Sequence, residues 1–123
     1  MTLELNTKQA ETKAKIEQVC ALFGIDSKWA SAIAMTESSL GLKQKSSTGC
    51  RGVFQMSSIA MKDILHEMEY INDDLVDIVC GVAFLRLLLR RWGSIESATN
   101  HFCDPNDKSF YLDRVKQFMA EFN

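Results

Sequence analysis

A carboxylate lies at the end of a short apolar helix in the stretch Ile33-Ala34-Met35-Thr36-Glu37-Ser38-Ser39-Leu40-Gly41. The helix is predicted over 27–38 because alanines and large apolar residues fill it and because Asp26 or Ser27 can cap its N-terminus. Such a short, apolar helix is expected to be largely buried. The chain then enters a loop, predicted over 41–52 from its content of Gly and Ser.

The rest of the chain is also predicted to be helical, with at most a short β ribbon within 41–56. From apolar spacing and capping residues, further helices are expected at 7–22, 57–69, 74–91, 94–102 and 108–121. Asn6 and Gln9 can form a capping box at the first helix, and Gly24 can end it. Gly81 inside the longest helix indicates that a neighbouring helix approaches closely there. We therefore expect a single all-α domain over 1–123.

Length, charge and composition exclude several classes of protein. A chain of 123 residues, 46% of them hydrophobic, has enough apolar side chains for one core. Its 14 Lys+Arg and 16 Asp+Glu give a net charge of −2, which does not favour nucleic acid or an anionic membrane as a partner. No apolar run approaches the roughly 18 residues of a membrane span. We expect a monomer that does not insert into a membrane.

The four cysteines are not spaced as metal ligands. Cys20, Cys50, Cys80 and Cys103 form no CxxC and no Cys/His pair at zinc spacing, so neither a metal nor a cofactor is expected. The first residues lack the basic and apolar regions of a secretory signal, which predicts synthesis in the cytoplasm. Free thiols are therefore expected, with disulfides as the alternative.

The position of Glu37 suggests acid catalysis. A helix C-terminus carries partial negative charge, and burial beside Trp29 or Met35 would desolvate the carboxylate, so both effects are expected to raise its pKa. A carboxylic acid that stays protonated near neutral pH can protonate a glycosidic oxygen. The alternative is a solvated surface glutamate.

The loop after this helix has the features of a ligand-binding segment. Gly49 and Gly52 permit unusual backbone angles and a close approach of main chain to a ligand. Gln55, directly after two apolar residues, offers a donor and an acceptor at the rim of a pocket. The alternative is a tight turn with an incidental Gln.

Together these segments resemble the soluble lytic transglycosylase family, of bacteriophage type, which is related in fold to goose-type lysozyme. The family has a helix that ends in Glu-Ser, here Glu37-Ser38, and a loop of the form Gly-Ala-x-Gly-Leu-Met-Gln-Ile, here Gly49-Cys50-Arg51-Gly52-Val53-Phe54-Gln55-Met56. A weaker third pattern, an Asn-Ile, a Gly and an aromatic-Leu pair, resembles Asp77-Ile78, Gly81 and Phe84-Leu85. The resemblance covers roughly residues 25–115.

The resemblance implies a lysozyme-like helical domain that cleaves the β-1,4 bond between N-acetylmuramic acid and N-acetylglucosamine in peptidoglycan glycan strands. Glu37 would be the single acid/base, and the product would carry a 1,6-anhydro ring because no water enters. Without a signal, such a domain is expected to reach the periplasmic cell wall during phage lysis or as part of a virion. The residues expected to bind substrate are Ser38, Gly52, Val53, Phe54, Gln55, Met56, His101 and Phe102. Lys43, Lys45 and Arg51 could meet carboxylates of the strand.

The penultimate helix departs from the family pattern. The family has Ala-x-x-x-Tyr-Asn there, where this chain has Ala98-Thr99-Asn100-His101-Phe102-Cys103. Phe102 at the Tyr position lacks the hydroxyl that could hold Glu37, and a shift of one residue puts His101 there instead. Two alternatives follow: a catalytically weak saccharide-binding or structural module, and a hydrolytic muramidase in which Asp104 or Asp107 positions water.

Overall fold

The computed structural model describes residues 3–43, 52–56, 74–102 and 107–122 and is all-α, as predicted. Its helices are α1 (Thr7–Phe23), α2 (Ser27–Ser38), α3 (Asp74–Trp92), α4 (Ile95–Phe102) and α5 (Lys108–Glu121). These ranges contain no strand, although Met56 takes part in an isolated β-bridge. The predicted helix at 57–69 lies outside the described residues. Within the described part of the chain, no helix has the length and apolarity needed to cross a membrane.

Local capping explains why the predicted helix bounds agree with the structure. Asn6 Oδ1 accepts a hydrogen bond from the Gln9 N–H at 2.9 Å, and Gln9 Oε1 accepts one from the Asn6 N–H at 3.0 Å, which completes the predicted capping box. Gly24 ends α1 in the left-handed conformation, with φ 67°. Asp26 is the N-cap of α2, since its Oδ1 accepts from the Lys28 N–H at 2.9 Å.

Helix α2 lies in the centre of the core. Its residues from Trp29 to Ala34 are fully buried, and the helix packs against both α1 and α5. Trp29 Nε1 donates a hydrogen bond to Thr99 Oγ1 at 2.9 Å, which connects α2 to α4. Burying one large apolar side chain stabilises the folded state by roughly 1.5–3 kcal/mol. Because several such side chains of α2 are buried, the core holds the helix firmly and fixes the position of its C-terminal turn.

The segment 52–56 packs against α3 at Gly81. A Cβ placed on Gly81 would overlap the ring of Phe54, which is fully buried. Gly81 is therefore closely approached, but the neighbour is a loop side chain, so the prediction of a neighbouring helix is wrong. This contact holds the loop against the same core that supports α2.

Candidate functional site

Glu37 and Tyr111 are joined by a hydrogen bond between α2 and α5. Glu37 is half-buried in the last turn of α2, and Tyr111 Oη donates to its Oε2 at 2.7 Å. Tyr111 lies in the first turn of α5 and is only 9% exposed. A buried tyrosine generally requires a partner for its hydroxyl, and here that partner is the carboxyl group. The bond holds the carboxyl in one orientation at the edge of the core.

The chain leaves α2 through three consecutive left-handed residues. Ser39, Leu40 and Gly41 have φ of 53°, 54° and 87°. This conformation costs roughly 1–2 kcal/mol for a residue with a side chain, and Leu40 adopts it while fully buried. Such strain persists only where surrounding contacts enforce it, and it is found often at functional sites. Here it turns the backbone away directly after Glu37 and Ser38.

Ser38 connects the end of α2 to the segment 52–56. Its Oγ lies 2.5 Å from the Val53 carbonyl oxygen and 3.1 Å from that of Ala34, and it accepts from the Gly41 N–H at 2.9 Å. The side chain is 1% exposed, and contact between Ser38 and substrate stays a prediction. Ser38 positions the loop behind Glu37.

Most of the predicted substrate-binding loop faces inward. Gly52 is buried, Val53 and Phe54 are fully buried, and Met56 is 5% exposed. These side chains are packed against the core, and contact between the four residues and substrate stays a prediction. The apolar side chains turn inward because Gly81 leaves room for Phe54.

Asp77 attaches the same loop to α3. Its Oδ2 accepts a hydrogen bond from the Val53 N–H, and the side chain is 2% exposed. A Cβ on Gly52 would overlap the Asp77 carboxyl group, so Gly52 is required both for its φ of 88° and for this close approach. Asp77, which belongs to the third family-like pattern of the sequence, thus holds the segment 52–56 against α3.

Gln55 differs from its neighbours because it is half-buried. It has φ 52°, and its Nε2 donates to the carbonyl oxygens of Gly52 at 2.7 Å and Lys43 at 3.3 Å. The side chain thereby connects the segment 52–56 to Lys43, which follows the left-handed residues after α2. Contact between Gln55 and substrate stays a prediction.

Phe102 and His101 point to different surroundings. Phe102 is 9% exposed and packs on the rings of Phe54, with centroids 6.5 Å apart, and Phe84, at 5.6 Å. His101 is exposed and stacks on Trp92, with ring centroids 3.6 Å apart and planes inclined by 9°. Among the described residues, Phe102 therefore belongs to the aromatic core around Phe54, and His101 to the surface between α3 and α4. Contact of either residue with substrate stays a prediction.

Sequence reasoning missed Tyr111. A signal was present, because Tyr111 and Val115 are spaced by four on the buried face of α5. A tyrosine on such a face needs a polar partner, but the spacing does not say which one. The hydroxyl that Phe102 lacks is thus supplied to Glu37 from the last helix.

Of the other charged groups predicted for the site, the structure describes Lys43 and Asp107. Lys43 is exposed, whereas Lys45, Arg51 and Asp104 lie outside the described residues. Asp107 caps α5, with its Oδ1 accepting from the Phe110 N–H at 3.0 Å. Within 3–43, 52–56, 74–102 and 107–122, no group of three or more His, Cys, Asp or Glu residues could hold a metal ion.

Comparisons with family models, with curated proteins and with solved structures found no match to this chain. Function therefore has to be inferred from Glu37, Tyr111 and the backbone around them.

Proposed function

We propose that the chain cleaves the β-1,4 glycosidic bond between N-acetylmuramic acid and N-acetylglucosamine in bacterial peptidoglycan, with Glu37 as the single acid/base. The observation that carries the proposal is the 2.7 Å hydrogen bond from Tyr111 to a half-buried Glu37 at a strained helix exit. The resemblance of residues 37–38 and 49–56 to soluble lytic transglycosylases supplies the substrate class. In a bacteriophage, this activity would serve lysis or entry through the periplasmic wall.

In the first step, Glu37 transfers its proton to the glycosidic oxygen, and the bond from that oxygen to C1 breaks. This C1 belongs to the N-acetylmuramic acid. The acetamido oxygen of that sugar attacks C1 and takes up the developing positive charge. Because Tyr111 Oη donates to Oε2, the carboxylic acid holds its proton on Oε1 and Oε2 acts as the acceptor. General acid catalysis of this kind contributes about 10²–10⁴-fold in rate.

In the second step, the 6-hydroxyl oxygen of the sugar attacks C1 and displaces the acetamido oxygen. The hydroxyl proton passes to the Glu37 carboxylate, which restores the acid. A 1,6-anhydro ring forms, and no water is consumed. Tyr111 remains a donor to Oε2 in both steps, so the carboxyl does not have to reorient between them.

The surroundings of two other carboxylates favour this route over hydrolysis. A hydrolytic enzyme needs a second carboxylate that positions water. Asp107 is the N-cap of α5, and Asp77 is buried and bonded to Val53, so both already hold structural positions. Asp104, the other candidate for positioning water, lies outside the described residues, so these contacts support a single acid/base only over the described part of the chain.

The alternative of a binding module without turnover was motivated by Phe102 at the position of the family's Tyr. The Tyr111 hydroxyl on Glu37 supplies a group of the same kind from another helix. This contact supports an enzyme over a module that has lost its activity.

The test is digestion of purified peptidoglycan followed by mass spectrometry of the released muropeptides. Products of the wild-type protein should carry anhydro ends, each lighter by one water than a reducing end. Glu37→Gln, which keeps the side-chain size and removes the acid, should release none. Reducing ends would instead establish a hydrolase, and full release by Glu37→Gln would refute the site.

A further inference from the structure

A row of one exposed cation between one exposed and one partly buried ring runs along α5 next to Tyr111. Arg114 Cζ lies 5.9 Å from the ring centroid of Phe110 and 5.3 Å from that of Phe118. Because the three residues are four positions apart, they form one row on a flank of the helix, here called the α5 row. Phe110 is 60% exposed and Arg114 is exposed, so the row is accessible to a ligand.

The α5 row begins beside the residue that holds Glu37. Phe110 directly precedes Tyr111, and Arg114 follows Tyr111 by three residues, which is less than one helical turn. Tyr111 in turn reaches Glu37 Oε2 at 2.7 Å. A saccharide chain bound at Glu37 needs to extend by only about one sugar to reach a side chain one turn away along the helix, where the rise per turn is about 5.4 Å.

The chemistry of the row matches an anionic glycan. Two rings beside the guanidinium restrict its motion, while its N–H groups can still bind a carboxylate in two-point geometry. Among the described residues, Arg114 forms no ion pair. The exposed ring of Phe110 offers an apolar face to the C–H groups of a sugar.

We propose that Arg114 binds a carboxylate of the glycan strand, and that Phe110 packs on an adjoining sugar. This inference rests on the proposed function and narrows its substrate class to strands that carry lactyl or peptide carboxylates. Neutral chitooligosaccharides, which lack these groups, would use Phe110 but not Arg114.

The test measures binding without turnover, in the Glu37→Gln background. The two probes are a muropeptide oligosaccharide with free carboxylates and a chitooligosaccharide of equal length, titrated by calorimetry at low salt. Arg114→Gln should weaken binding of the muropeptide about two- to five-fold, the range of an exposed charge pair, and leave the chitooligosaccharide unchanged. Arg114→Lys should retain part of the muropeptide affinity, and Phe110→Ala should weaken both probes.

Lys116→Gln is the matched control, since Lys116 is an exposed cation on α5 outside the row. Equal effects of Arg114→Gln and Lys116→Gln on the muropeptide would overturn the inference. Cleavage by the wild-type protein separates this failure from failure of the proposed function. Cleavage without dependence on Arg114 refutes the inference alone, and binding that depends on Arg114 without any cleavage refutes the proposed function alone. If neither probe binds, the inference is overturned, and cleavage by the wild-type protein decides the proposed function.

Discussion

Tyr111 Oη donates a hydrogen bond to Glu37 Oε2 across 74 positions of the chain, at 2.7 Å. The contact joins the first turn of α5 to the last turn of α2. It gives Glu37 the hydroxyl partner that the penultimate helix, with Phe102, does not provide.

Tyr111→Phe should lower kcat about ten-fold and leave KM nearly unchanged, because a hydrogen bond to a charged group contributes roughly 1.5–3 kcal/mol. The ring stays in place, so the core packing of α5 is preserved. Initial rates of peptidoglycan clearing over a range of substrate concentrations measure both parameters. A rise in KM with unchanged kcat would contradict a role for Tyr111 in orienting the acid.

Ser38→Ala should destabilise the fold by about 1–3 kcal/mol, because the buried Val53 carbonyl and Gly41 N–H lose their partner. Urea unfolding followed by circular dichroism measures the change. Ser109→Ala is the control, since Ser109 is exposed in α5 and its replacement should change stability by less than about 0.5 kcal/mol. Equal effects of the two substitutions would show that Ser38 does not hold the loop.

Gly81→Ala should destabilise the protein by about 1–3 kcal/mol, because the added methyl group overlaps the ring of Phe54. Phe54→Leu removes part of that ring and should relieve some of the overlap. A double-mutant cycle on the free energy of unfolding measures this coupling. Additive effects of the two substitutions would contradict direct contact between Gly81 and Phe54.

Cys20 and Cys80 should react slowly with iodoacetamide in the folded protein. Burial raises the pKa of the Cys20 thiol to about 12, with smaller contributions from Asp26 and Glu17. Burial and then Asp77 also raise the pKa of Cys80. Since the thiolate is the reactive form, both residues should remain unmodified near pH 8 and react fully after unfolding, as peptide mass mapping can measure.

The same raised pKa values predict a loss of stability in alkali. Unfolded cysteines ionise near pH 8.5, whereas folded Cys20 keeps its proton until pH approaches about 12. The folded state therefore binds more protons over this interval, and the free energy of unfolding should fall as pH rises through it. The variant to compare is Cys20→Ala, because Cys20→Ser would bury a hydroxyl group. Cys20→Ala should flatten the dependence of the free energy of unfolding on pH. If the free energy of unfolding of Cys20→Ala fell with pH as steeply as that of the wild-type protein, Cys20 would not be the group responsible.

The helix bounds were predictable because the groups that set them are close in sequence. Asn6 and Gln9 bond each other within one turn, and Asp26 caps the helix that follows it directly. A close approach at Gly81 was also predictable, but the sequence pointed to a neighbouring helix, whereas the neighbour is the loop side chain Phe54. Apolar residues in a glycine-bounded loop can face a ligand or a core, and the local pattern is the same in both cases.

The amino-acid sequence by itself determined the all-α class, the helix ends and the place of Glu37 at the end of α2, because short-range hydrogen bonds and apolar spacing act within a few residues. Tertiary packing alone decided that Val53 and Phe54 turn into the core and that Tyr111 meets Glu37. These contacts depend on how α3 and α5 approach α2 and the loop, which is set by shape and burial over the whole chain.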